Sequence, residues 1–164
     1  MDIMQWLTET EGGKLVFTLL VSMVPVVELR GAIPFGHNVL GLGIWPTFFA
    51  SVVGNIIPVP FIIVYIRRVF QWMRRHMTRL DRLVDKLEAK AHLKGRMVSK
   101  YKYLGLMLFV AIPLPGTGAW TGALAAAFLD MPLRRALPSV ALGVSAAGVI
   151  ISILSFGLGA LFGG

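Results

Sequence analysis

The chain alternates long apolar blocks with short breaks that contain proline and glycine. Residues 46–66 and 136–162 carry no formal charge, and each block reaches the roughly 20 residues that a membrane-spanning helix needs. Other apolar runs are shorter: 15–27 has 13 residues and 104–112 has nine. The pattern predicts an all-α integral membrane protein with two full spans and several apolar helices too short to cross.

The first short run leads into a block that contains an acid and a base, Glu28 and Arg30, followed by Pro34. Between residues 15 and 66 these two are the only formally charged residues. Such a group at the centre of a bilayer costs roughly 3 kcal/mol or more, so it is expected to face a polar cavity or a partner. Proline and glycine around the pair disfavour an unbroken helix. We therefore predict a re-entrant helical hairpin with its break near 28–36. The candidate site residues in this block are Glu28, Arg30 and Pro34.

The second half of the chain repeats this arrangement. The run 104–112 stops at a loop rich in proline and glycine, and a second short run, 119–129, follows it. We predict a second re-entrant hairpin with its break near 113–118. The candidate site residues in this loop and just after it are Pro113, Pro115, Gly116, Thr117, Gly118 and Trp120.

Each half thus reads as a re-entrant hairpin followed by a spanning helix. We predict one membrane domain over 1–164, made of a first repeat (1–66), a basic segment (67–102) and a second repeat (103–164). If the basic segment is cytoplasmic, the first hairpin enters from outside and the second from inside. The two repeats are then inverted, and such repeats place broken-helix tips near the midplane of secondary transporters.

Charge is concentrated in the middle of the chain. Segment 67–102 carries +9, whereas the remaining residues sum to −1. An excess of lysine and arginine beside spanning helices marks the cytoplasmic side, which predicts a multi-pass membrane protein with this segment inside and both termini outside. Anionic lipid headgroups are the expected partner of this segment. No recognition motif for nucleic acid accompanies the charge.

Within the basic segment, residues 67–94 read as an amphipathic helix. Apolar positions recur alternately four and three residues apart, which is typical of a narrow apolar seam. This seam could lie on headgroups, pack against the membrane domain or join two copies. A homodimer is our expectation.

Two blocks resemble a known family. Glu-Leu-Arg-Gly-Ala-Ile-Pro (28–34) and Ile-Pro-Leu-Pro-Gly-Thr-Gly-Ala-Trp-Thr-Gly (112–122) resemble the bacterial family of small multidrug export proteins. This resemblance implies a place in the bacterial inner membrane. The arrangement is also similar to the DedA, or VTT-domain, membrane proteins. That second resemblance implies two re-entrant hairpins and movement of a lipid-linked phosphate such as undecaprenyl phosphate. DedA proteins carry arginines around the second break, and this chain has none there.

Several residues have both a functional and a structural interpretation. Glu28 is either a proton-coupling carboxylate or part of a structural ion pair. Arg30 is either an anion-binding group or a structural partner. The Asn55 side chain either forms a hydrogen bond to another helix or is part of the substrate path.

The second loop offers the same choice. It could present backbone amides to an anion, or its glycines could allow close packing. Trp120 could stack on a substrate or pack in the interior.

We expect a membrane transporter or exporter, with proton coupling through Glu28 as the sharper hypothesis. A lipid-phosphate translocase and a non-transporting scaffold are the alternatives. No cysteine is present, the three histidines lack metal-ligand spacing, and no serine-histidine pair suggests hydrolysis. We therefore expect neither an enzyme nor a cofactor.

Overall fold

A computed structural model describes residues 2–76, 85–86, 89, 102–114 and 116–162. Most of these residues lie in helices, and none of them forms a strand. The helices are α1 (Ile3–Glu9), α2 (Glu11–Met23), α3 (Glu28–Pro34), α4 (Ile44–Ile56), α5 (Pro58–His76), α6 (Lys102–Ala111), α7 (Ala119–Phe128) and α8 (Leu133–Phe162), with a π-helical segment at Phe35–Val39.

Two stretches are long and apolar enough to cross a membrane. They are Ile44–Ile66, with 23 residues, and Leu133–Gly157, with 25 residues, and both have a mean hydropathy of 2.1. The first runs through α4 and continues into α5. Both stretches agree with the predicted spans, which were recognisable by their length and lack of charge.

The chain divides into two compact units. The first contains residues 1–57 and 144–164, and the second contains residues 58–143. The predicted division at residues 66 and 102 differs from this grouping, and the single membrane domain stays a prediction.

In the first unit, α2 and α3 form a helical hairpin. The hydroxyl of Thr10 accepts a hydrogen bond from the backbone nitrogen of Gly13 at 3.0 Å, which caps the start of α2. After α2 ends, the chain turns at 24–27, and the following helix folds back along it. The rings of Phe17 and Phe35 lie 5.7 Å apart.

The predicted position of the first break is wrong. The turn lies at 24–27, around Pro25, whereas Glu28–Pro34 is α-helical. A proline inside a helix removes one hydrogen bond and crowds the preceding turn. Here Pro34 ends α3, and the chain continues in the wider π-helix, in which the backbone nitrogen of Leu40 donates to the carbonyl of Phe35 at 3.2 Å. A change of hydrogen-bond register therefore replaces the expected break.

Helix α4 packs closely against α2 in the same unit. The hydroxyl of Ser22 donates to the carbonyl of Ser51 at 2.6 Å. A Cβ placed on Gly54 would collide with the backbone of Leu19. Glycine at position 54 is thus what lets the two backbones touch, as small residues do between membrane helices.

In the second unit, α6 and α7 form another hairpin around the predicted loop. A Cβ on Gly122 of α7 would collide with the Val110 side chain of α6. On Gly143 of α8, a Cβ would lie 2.6 Å from the carbonyl oxygen of Met107 and 2.8 Å from the Cβ of Val110. Helix α6 is therefore held between α7 and the first part of α8.

The basic segment is described only in part. Helix α5 extends to His76, and most of 77–101 lies outside the described residues. The predicted amphipathic helix over 67–94 therefore stays a prediction beyond that point.

Replacing Gly54 with alanine is expected to lower the stability of the protein by about 1–3 kcal/mol, because the new methyl group forces α2 and α4 apart. Thermal unfolding in detergent measures the effect. Gly157→Ala is the matched control, since a Cβ at that position in α8 meets nothing within 4 Å. Equal melting temperatures for the two variants would contradict the close approach of α2 and α4.

Candidate functional site

Glu28 is a buried acid at the turn of the first hairpin. Its side chain is 5% exposed, and its backbone nitrogen donates to the carbonyl of Val24 at 2.9 Å. Its φ of 49° lies in the left-handed region, which costs a residue other than glycine of order 1–3 kcal/mol and occurs mainly at functional positions. The turn therefore holds this acid in a strained conformation inside the protein.

The same short helix carries the other two site residues predicted in this block. Arg30 is half-buried, and so is Pro34 at the last position of α3. Leu29, Ala32 and Ile33 are fully buried. The apolar residues thus anchor α3, while Arg30 retains partial exposure.

A buried polar face runs along α4. It is formed by Thr47, Ser51 and Asn55, which are spaced four residues apart and lie on one side of the helix. The Thr47 hydroxyl donates to the carbonyl of Gly43 at 2.9 Å. By contrast, the Ser51 hydroxyl and both polar atoms of the Asn55 amide have no hydrogen-bond partner among the described residues. Asn55 is 1% exposed, yet its amide bonds to no described residue of another helix.

The sequence prediction did not include Ser51. The signal that could have found it is the four-residue spacing of polar residues along a span that is otherwise apolar.

The first unit also contains an apolar groove of about 300 Å³. Its lining residues come from α4 and α8 and are mostly aromatic or aliphatic: Ile44, Trp45, Phe48, Val149, Ser152, Ile153 and Phe156. Ser152 is 9% exposed, and its hydroxyl has no hydrogen-bond partner among the described residues. The groove therefore offers an apolar wall with one polar group.

His37 lies beside this groove. Its ring is in edge contact with Phe156, with 4.5 Å between the ring centroids. Its Nδ1 lies 2.8 Å from the carbonyl oxygen of Leu42, so the proton of the neutral ring belongs on Nδ1. Sequence analysis did not connect His37 with this groove, because its neighbour Phe156 is more than 100 residues away in the chain.

In the second unit, Thr117 organises the loop between α6 and α7. Its hydroxyl accepts from the backbone nitrogen of Leu114 at 3.2 Å and lies 2.6 Å from the carbonyl oxygen of Ile112, to which it donates. Gly116 has a φ of 79°, and Gly118 has a φ of 146°. The loop therefore depends on one threonine and on two glycines in conformations that other residues rarely adopt.

The other predicted residues of this loop are placed as follows. Pro113 is half-buried, Gly118 is buried just before α7, and Trp120 is half-buried in the first turn of α7. Pro115 lies outside the described residues.

The candidate residues fall into two groups. Glu28, Arg30, Pro34 and Asn55 belong to the first unit, and the loop residues with Trp120 belong to the second. That the two groups share one cavity stays a prediction. In the part of the chain that the structure describes, no group of three or more histidines and acids could hold a metal ion.

A comparison with protein families identifies the chain. The family model described as "Putative small multi-drug export protein" matches residues 28–150. The chain belongs to this family. The match begins at Glu28, includes both proline- and glycine-rich blocks, and ends within the second span. Neither a curated protein nor a solved structure matches the chain. Together with the two apolar spans, membership of an export family indicates a membrane protein.

Replacing Thr117 with valine is expected to destabilise the protein by about 0.5–1.5 kcal/mol, because it removes the hydroxyl that donates to the carbonyl oxygen of Ile112 at 2.6 Å. Chemical or thermal unfolding measures the loss. Thr121→Val is the matched control, since that hydroxyl makes a single, longer bond of 3.3 Å to Gly118. If Thr121→Val proved as costly as Thr117→Val, the special role of Thr117 in the loop would be refuted.

Proposed function

We propose that this protein is a small membrane exporter in which two re-entrant hairpins enter the bilayer from opposite faces. The family match over residues 28–150 carries the export assignment. The two spans and the short paired helices support the transport architecture.

Helix length supports the re-entrant interpretation. Helix α2 has 13 residues and α7 has 10, so they are only about 20 Å and 15 Å long at 1.5 Å per residue. A hydrocarbon core of about 30 Å is too thick for either of them to cross. Each hairpin therefore returns to the membrane face from which it came.

The two ends of the second hairpin also support the re-entrant interpretation. Lys102 and Tyr103, at the start of α6, line the same pocket as residues 129–132, which follow α7. The guanidinium of Arg135 lies over the Tyr103 ring, 5.8 Å from its centroid. Tyrosine and basic residues are typical of a membrane interface, so the chain enters and leaves at one level.

The charge distribution supports the orientation. With 67–102 on the cytoplasmic side of an inner membrane, the second hairpin starts and ends inside and the first starts and ends outside. This orientation makes the halves an inverted repeat and places both termini outside. Anionic headgroups would then face the basic segment.

Glu28 is the proposed proton-coupling residue. It is a carboxylic acid, 5% exposed, on helix α3, whose other buried side chains, Leu29, Ala32 and Ile33, are apolar. Ionisable residues at membrane depth are costly to retain and commonly mark proton or substrate pathways. Gain and loss of the Glu28 proton would link export to the proton gradient.

Glu28→Gln is expected to abolish the dependence of substrate flux on pH, since glutamine keeps the shape of the side chain but cannot ionise. Flux of a fluorescent hydrophobic drug into proteoliposomes, measured over a range of imposed pH gradients, tests this. Glu9→Gln is the control, because Glu9 is exposed at the end of α1.

A Glu28→Gln variant that transports with the wild-type pH profile would end the coupling proposal. Absence of flux in the wild-type protein would instead favour the scaffold alternative.

The groove between α4 and α8 is the proposed binding site for the apolar part of the substrate. Its volume of about 300 Å³ is at the lower end of the range for small-molecule sites, which are mostly apolar with a few polar groups. The hydroxyl of Ser152 would supply the polar contact. This chemistry suits hydrophobic drugs that carry one hydrogen-bonding group.

Phe48→Ala is expected to weaken binding of a hydrophobic drug about ten-fold, because a lost aromatic contact of this size is worth about 1.4 kcal/mol or more. Equilibrium binding to purified protein in detergent measures the change. Phe61→Ala is the control, since Phe61 is a 61% exposed phenylalanine in the other unit. Equal losses in both variants would indicate partition into detergent and reject the groove.

A lipid-linked phosphate is the alternative substrate. Arg30 supports it as a half-buried cation on the first hairpin, since guanidinium groups bind phosphate well. The loop at 113–118 contains no basic residue, which is why a neutral or hydrophobic drug is preferred. A homodimer, joined through the basic segment, remains part of the proposal.

A further inference from the structure

The turn of α4 between Ser51 and Asn55 is buried and polar. Ser51 is 0% exposed and Asn55 is 1% exposed. The Ser51 hydroxyl and both polar atoms of the Asn55 amide have no hydrogen-bond partner among the described residues. Residues four apart are neighbours on a helix surface, so these groups lie side by side. Native proteins seldom leave buried polar groups unsatisfied.

Two nearby carbonyl groups add to this polarity. Pro58 and Pro60 have no backbone N–H, so the carbonyls of Gly54 and Ile56 lack the donor that an uninterrupted helix would supply. Both carbonyls lie within one residue of Asn55 in the chain. The same turn of the helix therefore presents donors and acceptors together.

The neighbouring hydroxyls are different. Ser22 donates to the Ser51 carbonyl at 2.6 Å, and Thr18 donates to the Lys14 carbonyl at 2.8 Å. Thr47 is satisfied by Gly43 at 2.9 Å. At the contact between α2 and α4, the unsatisfied groups among the described residues are thus confined to one turn of α4.

We propose that Ser51 and Asn55 hold internal water in the first unit. The ligand must donate and accept hydrogen bonds, since the amide needs both, and it must be small, since its partner atoms are enclosed. Water meets both conditions, and buried waters characteristically bind otherwise unsatisfied polar groups. If the protein is an exporter, as proposed above, this hydrated turn is part of the polar path through α4. The hydration itself does not depend on that function.

Cysteine labelling tests the hydration directly, because the chain contains no cysteine. Ser51→Cys, purified in detergent without substrate, is expected to be labelled about ten-fold faster than Ala147→Cys by hydrogen peroxide, a reagent little larger than water that oxidises the thiolate to sulfenic acid, since the reactive thiolate is disfavoured in apolar surroundings. Ala147 is a suitable reference because it is 2% exposed and lies in the same unit. Equal rates for the two cysteines would overturn the proposal.

A second substitution tests whether the pair acts together. Asn55→Leu in the Ser51→Cys protein is expected to slow labelling to the rate of the Ala147→Cys reference, because it removes the amide that holds the water. Asn38→Leu is the control, since Asn38 is an exposed amide in the same unit. Unchanged labelling with Asn55→Leu would reject the shared site.

Thermal unfolding of Asn55→Leu in the otherwise unchanged protein provides a readout without labelling. A hydrated amide predicts a lower melting temperature than wild type, because bonded water and amide are both lost. A dry, unsatisfied amide predicts a higher one, because leucine removes a buried polar group, and that result would overturn the proposal. Neither measurement uses a substrate, so a failure of the transport proposal would leave both results interpretable.

Discussion

Hydrocarbon offers no hydrogen bonds, so each apolar helix of this protein has to satisfy its own backbone. That constraint makes prolines decisive, because each one removes a donor. At Pro25 the chain turns, at Pro34 it widens into a π-helix, and at Pro58 it continues with carbonyls that lack their usual donors. Glu28, the π-helix at Phe35–Val39 and Asn55 each lie within a few residues of one of these prolines.

The same constraint separates what could be predicted from what could not. The two spans were predictable because length and absence of charge decide them. The position of the first break was not predictable in this way. The rule that proline ends a helix does not take account of the π-helix in which the chain continues after Pro34. The second break does fall between α6 and α7, where Gly116 and Gly118 adopt conformations that a helix excludes. That this hairpin is re-entrant stays a prediction.

The candidate site shows a similar division. Glu28 could be singled out because an acid in an apolar run is costly wherever it lies, and the structure buries it. The polar face of α4 was only partly recognised, through Asn55. Serine and threonine are common in membrane helices, where their hydroxyls can bond to their own backbone. Only a structure distinguishes Thr47, which does so, from Ser51, which does not.

Close packing and buried polarity occur together on α4. Gly54 brings this helix against the backbone of Leu19, while Ser51 and Asn55 flank that contact on the same helix. A contact built on glycine has no long side chains whose rearrangement could satisfy a neighbouring amide. A small polar molecule is then the simplest remaining partner for Asn55. Gly54 stabilises the contact between α2 and α4, and Asn55 makes the same contact polar. Because both residues act on one interface, a substitution at either position should affect the surroundings of the other.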